Sequence, residues 1–583
     1  MSEDQSAAPC CGTAQAAERA DACCDPGART EAVATGGGCG GAIDASSVAD
    51  ESAAALPPGV TDRAGRVDGP HPVVVIGAGP VGLAAAAHLH ERGLPFTVLE
   101  AGPSAGAAVA EWGHVRLFSP WRYNVDHAAR RLLEAAGWAA PDAEALPTGA
   151  DLVEAYLRPL AELPQLAPHV RYDAPVAAIG RVGVDRIRTA GRENAPFVVR
   201  LATGEDVLAA AVIDASGTWR TANVLGATGL PAHGETDPQT ATLIDGALPD
   251  VLGADRDRFA GRHTVVVGAG HSAANTLLAL AELAEQEPGT TITWATRGGS
   301  IDRALGGGDA DALPGRGALG TGIKLLVDSG RVRLVTGFAV HAVAAVDGHA
   351  DLTAADGHAD LTAADGRTLS ADRIVAATGF RPDHTIAAEL RLDLDPVLGC
   401  TRALAPLIDP NDHSCGTVRP HGIDELTQPE PGYFAVGMKS YGRAPTFLMA
   451  TGYEQVRSIT AALAGDWTAA RDVQLDLPET GVCSSAQGYQ AMLDDAAARH
   501  GLAPDVPGRL ISAALRHLPT AGTVAAATRA AADELGVDPG VALQLAALAG
   551  NQFDTTDRGA ADGDLPPAEL GLVTVSSGGG CCG

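Results

Sequence analysis

Lysine is almost missing from this chain: Lys324 and Lys439 are the two in 583 residues, within a Lys+Arg total of 41. Asp and Glu number 71, so the formal net charge is -30. Nucleic acid is held by clustered cations against phosphate, and an anionic membrane surface asks for the same, so neither is an expected partner. The acidity serves solubility, and scarce lysine beside abundant Ala, Gly and Arg reads as GC-rich coding. Long apolar runs are missing too. The most apolar segment, Val73 to Leu89, is interrupted by Gly and Pro. It reads as strand, turn and helix rather than the apolar stretch of about 20 residues that spans a bilayer. No apolar core follows the acidic start MSEDQ, so no secretory signal is expected and the cytoplasm is the expected location.

There is no C-x-x-C among the ten cysteines. Thiols in the cytoplasm stay reduced, so no disulfide framework is expected. Three adjacent pairs stand out: Cys10 and Cys11, Cys23 and Cys24, Cys581 and Cys582. Soft thiolates suit thiophilic ions, which makes these pairs candidate ligands for As(III) or a similar metal(loid). Non-functional tail sequence explains them equally well, and a structural zinc site is poorer because the spacings are irregular.

Residues 1–70 are rich in Ala, Gly, Ser and acids, and are expected to be disordered. From Pro72 the chain alternates strand and helix patterns, which predicts a doubly wound α/β sheet. The pattern restarts near residue 261, so two nucleotide folds are expected, one inserted in the other: 71–260 and 381–465 for the first, 261–380 for the second. Residues 466–553 are Ala-rich with helical periodicity, a cap or a dimerisation surface, so a homodimer is an expectation. Residues 554–583 read as a second disordered tail. One nonapeptide, DGHADLTAA, occurs in tandem at 347–355 and 356–364. Asp-Gly suits hairpin turns, so this reads as a slippage duplication in a surface hairpin.

The chemistry-bearing motifs are two glycine-rich turns. Gly77-Ala78-Gly79-Pro80-Val81-Gly82 follows a Val/Ile strand and opens a helix. Its glycines allow the tight turn, the close approach of a pyrophosphate and the packing of helix on strand. The helix N-terminus adds donors and a positive dipole end. Glu100, at the end of the next strand, can accept both hydroxyls of an adenosine ribose. The second turn is Gly268-Ala269-Gly270-His271-Ser272-Ala273. The strand after it ends in Thr296 and Arg297 with no acid, which suits the 2′-phosphate of NADPH better than the free hydroxyl of NADH. Ser216-Gly217 and Thr378-Gly379 end two further strands with small residues, which lets the chain pass close over a bound cofactor.

The whole pattern, from about Pro72 to Gly465, resembles the flavoproteins with two dinucleotide folds: flavin-containing, Baeyer–Villiger and N-hydroxylating monooxygenases, and thioredoxin reductases. That resemblance implies FAD on the first fold and NADPH on the second. It also implies a flavin-closing segment at Tyr433 to Gly437. Those families usually place an Asp after this Gly for the ribityl chain; here Met438 stands there. The stretches Leu117 to Asn124, Gly437 to Pro445 and Leu477 to Cys483 resemble the flavoprotein monooxygenases of bacterial arsenic-resistance gene clusters. This implies O₂-dependent chemistry through a flavin C4a-hydroperoxide on an organic or arsenic-containing small molecule. Asn124, Arg122 and Lys439 are the polar candidates beside the flavin. The lack of a dithiol in the second fold weighs against a thioredoxin-reductase route. A reductase of thiol, quinone or metal acceptors, and a thiol-rich sequestering protein on a flavoprotein body, stay open.

Overall fold

Runs of β-branched residues form two parallel five-stranded sheets in the computed structural model. It describes residues 60–61, 67–68 and 71–550, except 307, 309–310, 312, 347–357, 411–417, 445–446, 476–499, 504–505 and 522. The three Cys-Cys pairs, the segment from Leu477 to Cys483, the first nonapeptide copy and the 554–583 tail therefore lie outside the described residues. Within the stretch expected to be disordered, Val60–Thr61 pairs antiparallel with Val67–Asp68. Three of those four residues are β-branched, the type that favours extended backbone.

The first fold begins with β1 (Val73–Ile76), β2 (Phe96–Leu99) and β3 (Val170–Arg171). An antiparallel meander follows: β4 (Val176–Arg181), β5 (Phe197–Leu201) and β6 (Asp206–Ala209). Strand β7 (Ala211–Asp214) then returns to the parallel sheet. The chain next builds the second sheet from β8 (Ile244–Asp245), β9 (His263–Val267), β10 (Thr291–Ala295) and β11 (Arg333–Val335). A second meander, β12 (Val340–Val346), β13 (His358–Ala363) and β14 (Thr368–Ala371), leads into β15 (Arg373–Ala376). Strand β16 (Tyr433–Ala435) closes the first sheet. The orders are β16-β7-β1-β2-β3 and β8-β15-β9-β10-β11. The second sheet thus lies, in sequence, between β7 and β16 of the first.

Each sheet is covered on both faces, which is why its strands read as unbroken apolar runs rather than alternating ones. Side chains of a strand alternate between faces. Val73 and Val75 face the helices, whereas Val74 and Ile76 face the β4–β6 meander. In the second fold Val266 meets the helices and Val265 and Val267 the β12–β14 meander. The longer helices are α1 (Pro80–Glu91) and α2 (His127–Ala135) in the first fold and α3 (His271–Gln286) and α4 (Pro314–Asp328) in the second. Helix α5 spans Met449–Leu463. Ala84 to Ala87 of α1 are fully buried: alanine adds no bulk, so the helix lies close on β1 and under α5. A buried ion network joins the first meander to the approach to β16. Glu430 accepts from Arg181 Nε at 2.8 Å and Arg192 Nη2 at 2.8 Å, with all three side chains at most 4% exposed. Further on, α6 (Val506–Ala521), α7 (Val524–Leu535) and α8 (Pro539–Gly550) share their own apolar cluster around Leu510, Ala531 and Leu545.

Candidate active site

The turn between β1 and α1 has the form a dinucleotide needs. Gly77 sits at φ 98°, and a Cβ there would come within 2.8 Å of the Ala215 carbonyl oxygen. A Cβ on Gly82 would lie 1.9 Å from the Gly77 oxygen, so both positions demand glycine. Around Gly79 a Cβ would meet nothing within 4 Å: that side of the turn is open. Pro80 takes the first helical position, where its missing N–H costs nothing. The donors of the α1 N-terminus face the same gap. Glu100 is pinned over it, accepting from the Ala78 N–H at 2.6 Å and the Gly102 N–H at 2.8 Å. An open glycine, a helix N-terminus and a fixed carboxylate fit the pyrophosphate and adenosine ribose of FAD.

Strand order sets the direction of such a ligand. Glu100 follows β2, on one side of β1; β7 and β16 lie on the other. A dinucleotide with its adenosine at Glu100 therefore runs its other half over the ends of β7 and β16. There Gly437 takes φ 65°, within 3.2 Å of Val81 if it carried a Cβ, and its N–H donates to Gln455 Oε1 at 2.8 Å. Gln455 in turn donates to His421 at 2.9 Å and Ser440 at 2.9 Å. Met438 is half-buried. Beneath this surface lies a charged cluster. Asp214, wholly buried at the end of β7, accepts from Lys439 Nζ at 2.6 Å, Tyr433 Oη at 2.8 Å and Ser216 Oγ at 2.6 Å. Burial pushes the Asp214 carboxyl up, but Lys439 and the hydrogen bonds outweigh it and hold it below the usual carboxylate range.

The second turn repeats the first. Gly268 is at φ 131°, with the Ala377 oxygen 2.0 Å from a Cβ placed there, and Gly270 is open. His271 begins α3, Ser272 is half-buried and Ala273 is fully buried in the third-glycine position. The His271 ring stacks on Phe118 of the first fold at 4.7 Å. Burial and the nearby Arg316 push its pKa down to about 4, so it is neutral at pH 7. Arg297 is exposed, with Nη1 on the Ala227 oxygen at 3.2 Å. Thr296, expected beside it, is buried, and its hydroxyl donates to Gly298 at 3.1 Å.

Two connectors join the folds and are laced to each other. Asn223 Nδ2 donates to the Thr378 oxygen at 3.0 Å, and the Thr378 hydroxyl donates back to the Asn223 oxygen at 2.8 Å. Gly217 and Gly379, at φ 69° and 86°, turn the chain at each crossing. Trp219 packs on Phe380 at 5.0 Å and donates from Nε1 to Glu111 at 2.8 Å.

The three polar candidates differ in exposure and partners. Arg122 is exposed and paired with Glu144. Asn124 is fully buried, with Oδ1 accepting from Ser119 Oγ at 2.8 Å and Nδ2 donating to the Ser119 carbonyl at 2.7 Å. Lys439 is 1% exposed and reaches the cleft through Ser216. Cys400, the one cysteine among the described residues, is buried, and burial followed by Asp395 pushes its thiol up to about 12. Among the described residues no cluster of His, Cys, Asp and Glu could hold a metal ion, and no helix is long and apolar enough to cross a membrane. Sequence reading missed Asp214, Gln455 and His421, and named Tyr433 only as the start of the flavin-closing segment. For Asp214 a signal existed: a charged residue within an apolar strand, two before the Ser216-Gly217 turn.

Residues 74–414 match the pyridine nucleotide-disulphide oxidoreductase family. No curated protein sequence matches the chain. Similar solved structures include a bacillithiol disulfide reductase from Bacillus cereus, 19% identical over 69% of this chain and 99% of that one, at a TM-score of 0.46. A flavin-containing monooxygenase from Stenotrophomonas maltophilia is 22% identical over 67% and 98%, at 0.40. The FAD-bound cadaverine monooxygenase DfoA from Erwinia amylovora is 14% identical over 70% and 98%, at 0.45. With the family matched over most of both dinucleotide folds, the chain belongs to the pyridine nucleotide-disulphide oxidoreductases and is an FAD-dependent oxidoreductase.

Proposed function

We propose that the protein is an NADPH-dependent flavin monooxygenase, acting on an organic or arsenic-containing small molecule in metal(loid) resistance. Bound FAD would supply the redox chemistry, accepting hydride from NADPH and passing the electrons to O₂. The chain's own residues bind, orient and exclude water. Glu100 and the α1 N-terminus hold the adenosine and pyrophosphate. In this reading the α3 N-terminus takes the second pyrophosphate and the exposed Arg297 the 2′-phosphate. Phe118 packs on His271 and Trp219 on Phe380, and the low pKa of His271 keeps its ring neutral.

The observation that carries this reading is Cys400. A disulfide reductase relays electrons through a reactive thiolate, whereas this thiol is buried, with a pKa near 12. Among the described residues there is then no reactive thiol, and O₂ is the acceptor this reading takes. The arsenic context is supported by the motif resemblance and by the thiophilic Cys pairs at positions 10–11, 23–24 and 581–582. The test is NADPH consumption and O₂ uptake with candidate substrates, including trivalent arsenicals, for the wild type and Cys400→Ala. The reading expects one O₂ per NADPH, an oxygenated product and no effect of Cys400→Ala. Oxygen-independent turnover with reduction of a disulfide would replace it by the reductase reading, which the family's own description favours.

A further inference from the structure

Asp214, Lys439 and Tyr433 are each at most 1% exposed, while Ser216, bonded to the first two, is exposed. The polarity of its hydroxyl follows from those bonds. An ionised carboxylate and an ammonium have fixed roles: one only accepts, the other only donates. Ser216 Oγ must spend its proton on Asp214 Oδ1, 2.6 Å away. One of its lone pairs takes the Lys439 proton at 3.1 Å. One lone pair remains, so toward the cleft Ser216 is an acceptor and not a donor.

What passes over that acceptor follows from the strand order. With adenosine at Glu100, the flavin half of FAD crosses the end of β7 before β16. The part between pyrophosphate and ring system is a sugar-alcohol chain, which carries hydroxyl donors across these strand ends. Each needs an acceptor. Met438, next to the Gly437 turn, has only a thioether sulfur to offer. We propose that Ser216 is the hydrogen-bond acceptor for one hydroxyl of the ribityl chain of FAD, and that Lys439 is the positioning residue that keeps it an acceptor by holding Asp214 charged. The proposal rests on the reading that the first fold binds FAD.

Lys439 matters through charge. Asp214 is faced by Lys439, by Tyr433 from β16, by Ser216 from its own strand end and by His384 from the connector after β15. Burial, then Lys439, depresses the His384 pKa; Asp383 beside it also feels Lys439. Without the ammonium, Asp214 would be a buried carboxylate lacking its cation, and it would take up a proton at higher pH. A neutral Asp214 can donate to Ser216, which frees the serine proton to turn outward as a donor, the wrong polarity for a hydroxyl that must donate.

The experiment uses the full-length chain, stripped of flavin and titrated with FAD by fluorescence, as wild type, Ser216→Ala, Ser216→Thr and Lys439→Met. It is repeated with FAD analogues deoxygenated in turn at the ribityl 2′, 3′ and 4′ positions. Ser216→Ala should weaken FAD about tenfold, the worth of one hydrogen bond, and Ser216→Thr should restore it. One of the three analogues should bind wild type and Ser216→Ala equally. Lys439→Met should bind FAD near wild-type strength at high pH and lose it as pH falls, over a range where the wild type is flat. Full FAD affinity in Ser216→Ala, or three analogues that all remain sensitive to it, would overturn the acceptor. A Lys439→Met defect equal at every pH would overturn the positioning role. A wild-type chain that binds no FAD would instead remove the functional reading underneath.

Discussion

Deleting Asp347–Ala355 should stabilise the second meander. The two nonapeptide copies are identical, so removing either one yields the same polypeptide. In the native register Val346 of β12 pairs with His358 of β13, which leaves residues 347–357, eleven in all, to close the hairpin. After the deletion Val346 is followed by Asp-Gly and then by His358. The same pair is then joined by a two-residue connection of the sequence that favours a type I′ turn, whose twist matches that of paired strands. Loop-closure cost grows as (3/2)RT ln n, so going from eleven residues to two gains about 1.5 kcal/mol. Hydrogen exchange reads this locally. Amides across the Val343–Leu361 and Ala345–Ala359 pairs should exchange roughly tenfold more slowly, since 1.4 kcal/mol is a factor of ten. Bound flavin should be unchanged. Faster exchange would refute the reasoning: it would mean that the longer connection, rather than the β12–β13 register, holds this hairpin.

Three further outcomes follow from the same geometry. Glu430→Ala leaves Arg181 and Arg192 buried without their shared carboxylate; it should cost about 3–5 kcal/mol, seen as a lower urea midpoint, and a loss under 1 kcal/mol would contradict the burial. Asp126, Asp214 and Glu430 all titrate below the usual carboxylate range, burial being overcome by His88, Lys439 and Arg192 respectively. Their stabilisation is complete above the unfolded value of about 4 and is lost as pH falls through the lower folded values, so the urea midpoint should hold from pH 7 to 5 and drop below 4; a drop already at pH 6 would point to other groups. Arg297→Ala should raise KM for NADPH about tenfold and leave KM for NADH alone, and a parallel loss for both cofactors would show that Arg297 does not read the 2′-phosphate.

Local sequence determined the two strand-turn-helix units, because glycine at positive φ, buried Val runs and Ala-rich helices are consequences of neighbouring residues. Gly77, Gly82 and Gly268 are dictated by backbone sterics within a few residues and the strand alongside. The charged cluster was not legible in that way. Asp214 and Lys439 stand 225 positions apart, and Arg181 and Glu430 249. No periodicity links such pairs; they meet because β16 returns to lie beside β7 after the whole second fold has been built. The same long-range packing buried Asn124, which the resemblance had set beside the flavin, and Thr296, at a strand end, and brought Phe118 onto His271. A strand's residues specify its own conformation, but its neighbour in a parallel sheet is chosen by how the connecting chain packs, and that choice puts a lone buried ammonium under a cleft-facing serine.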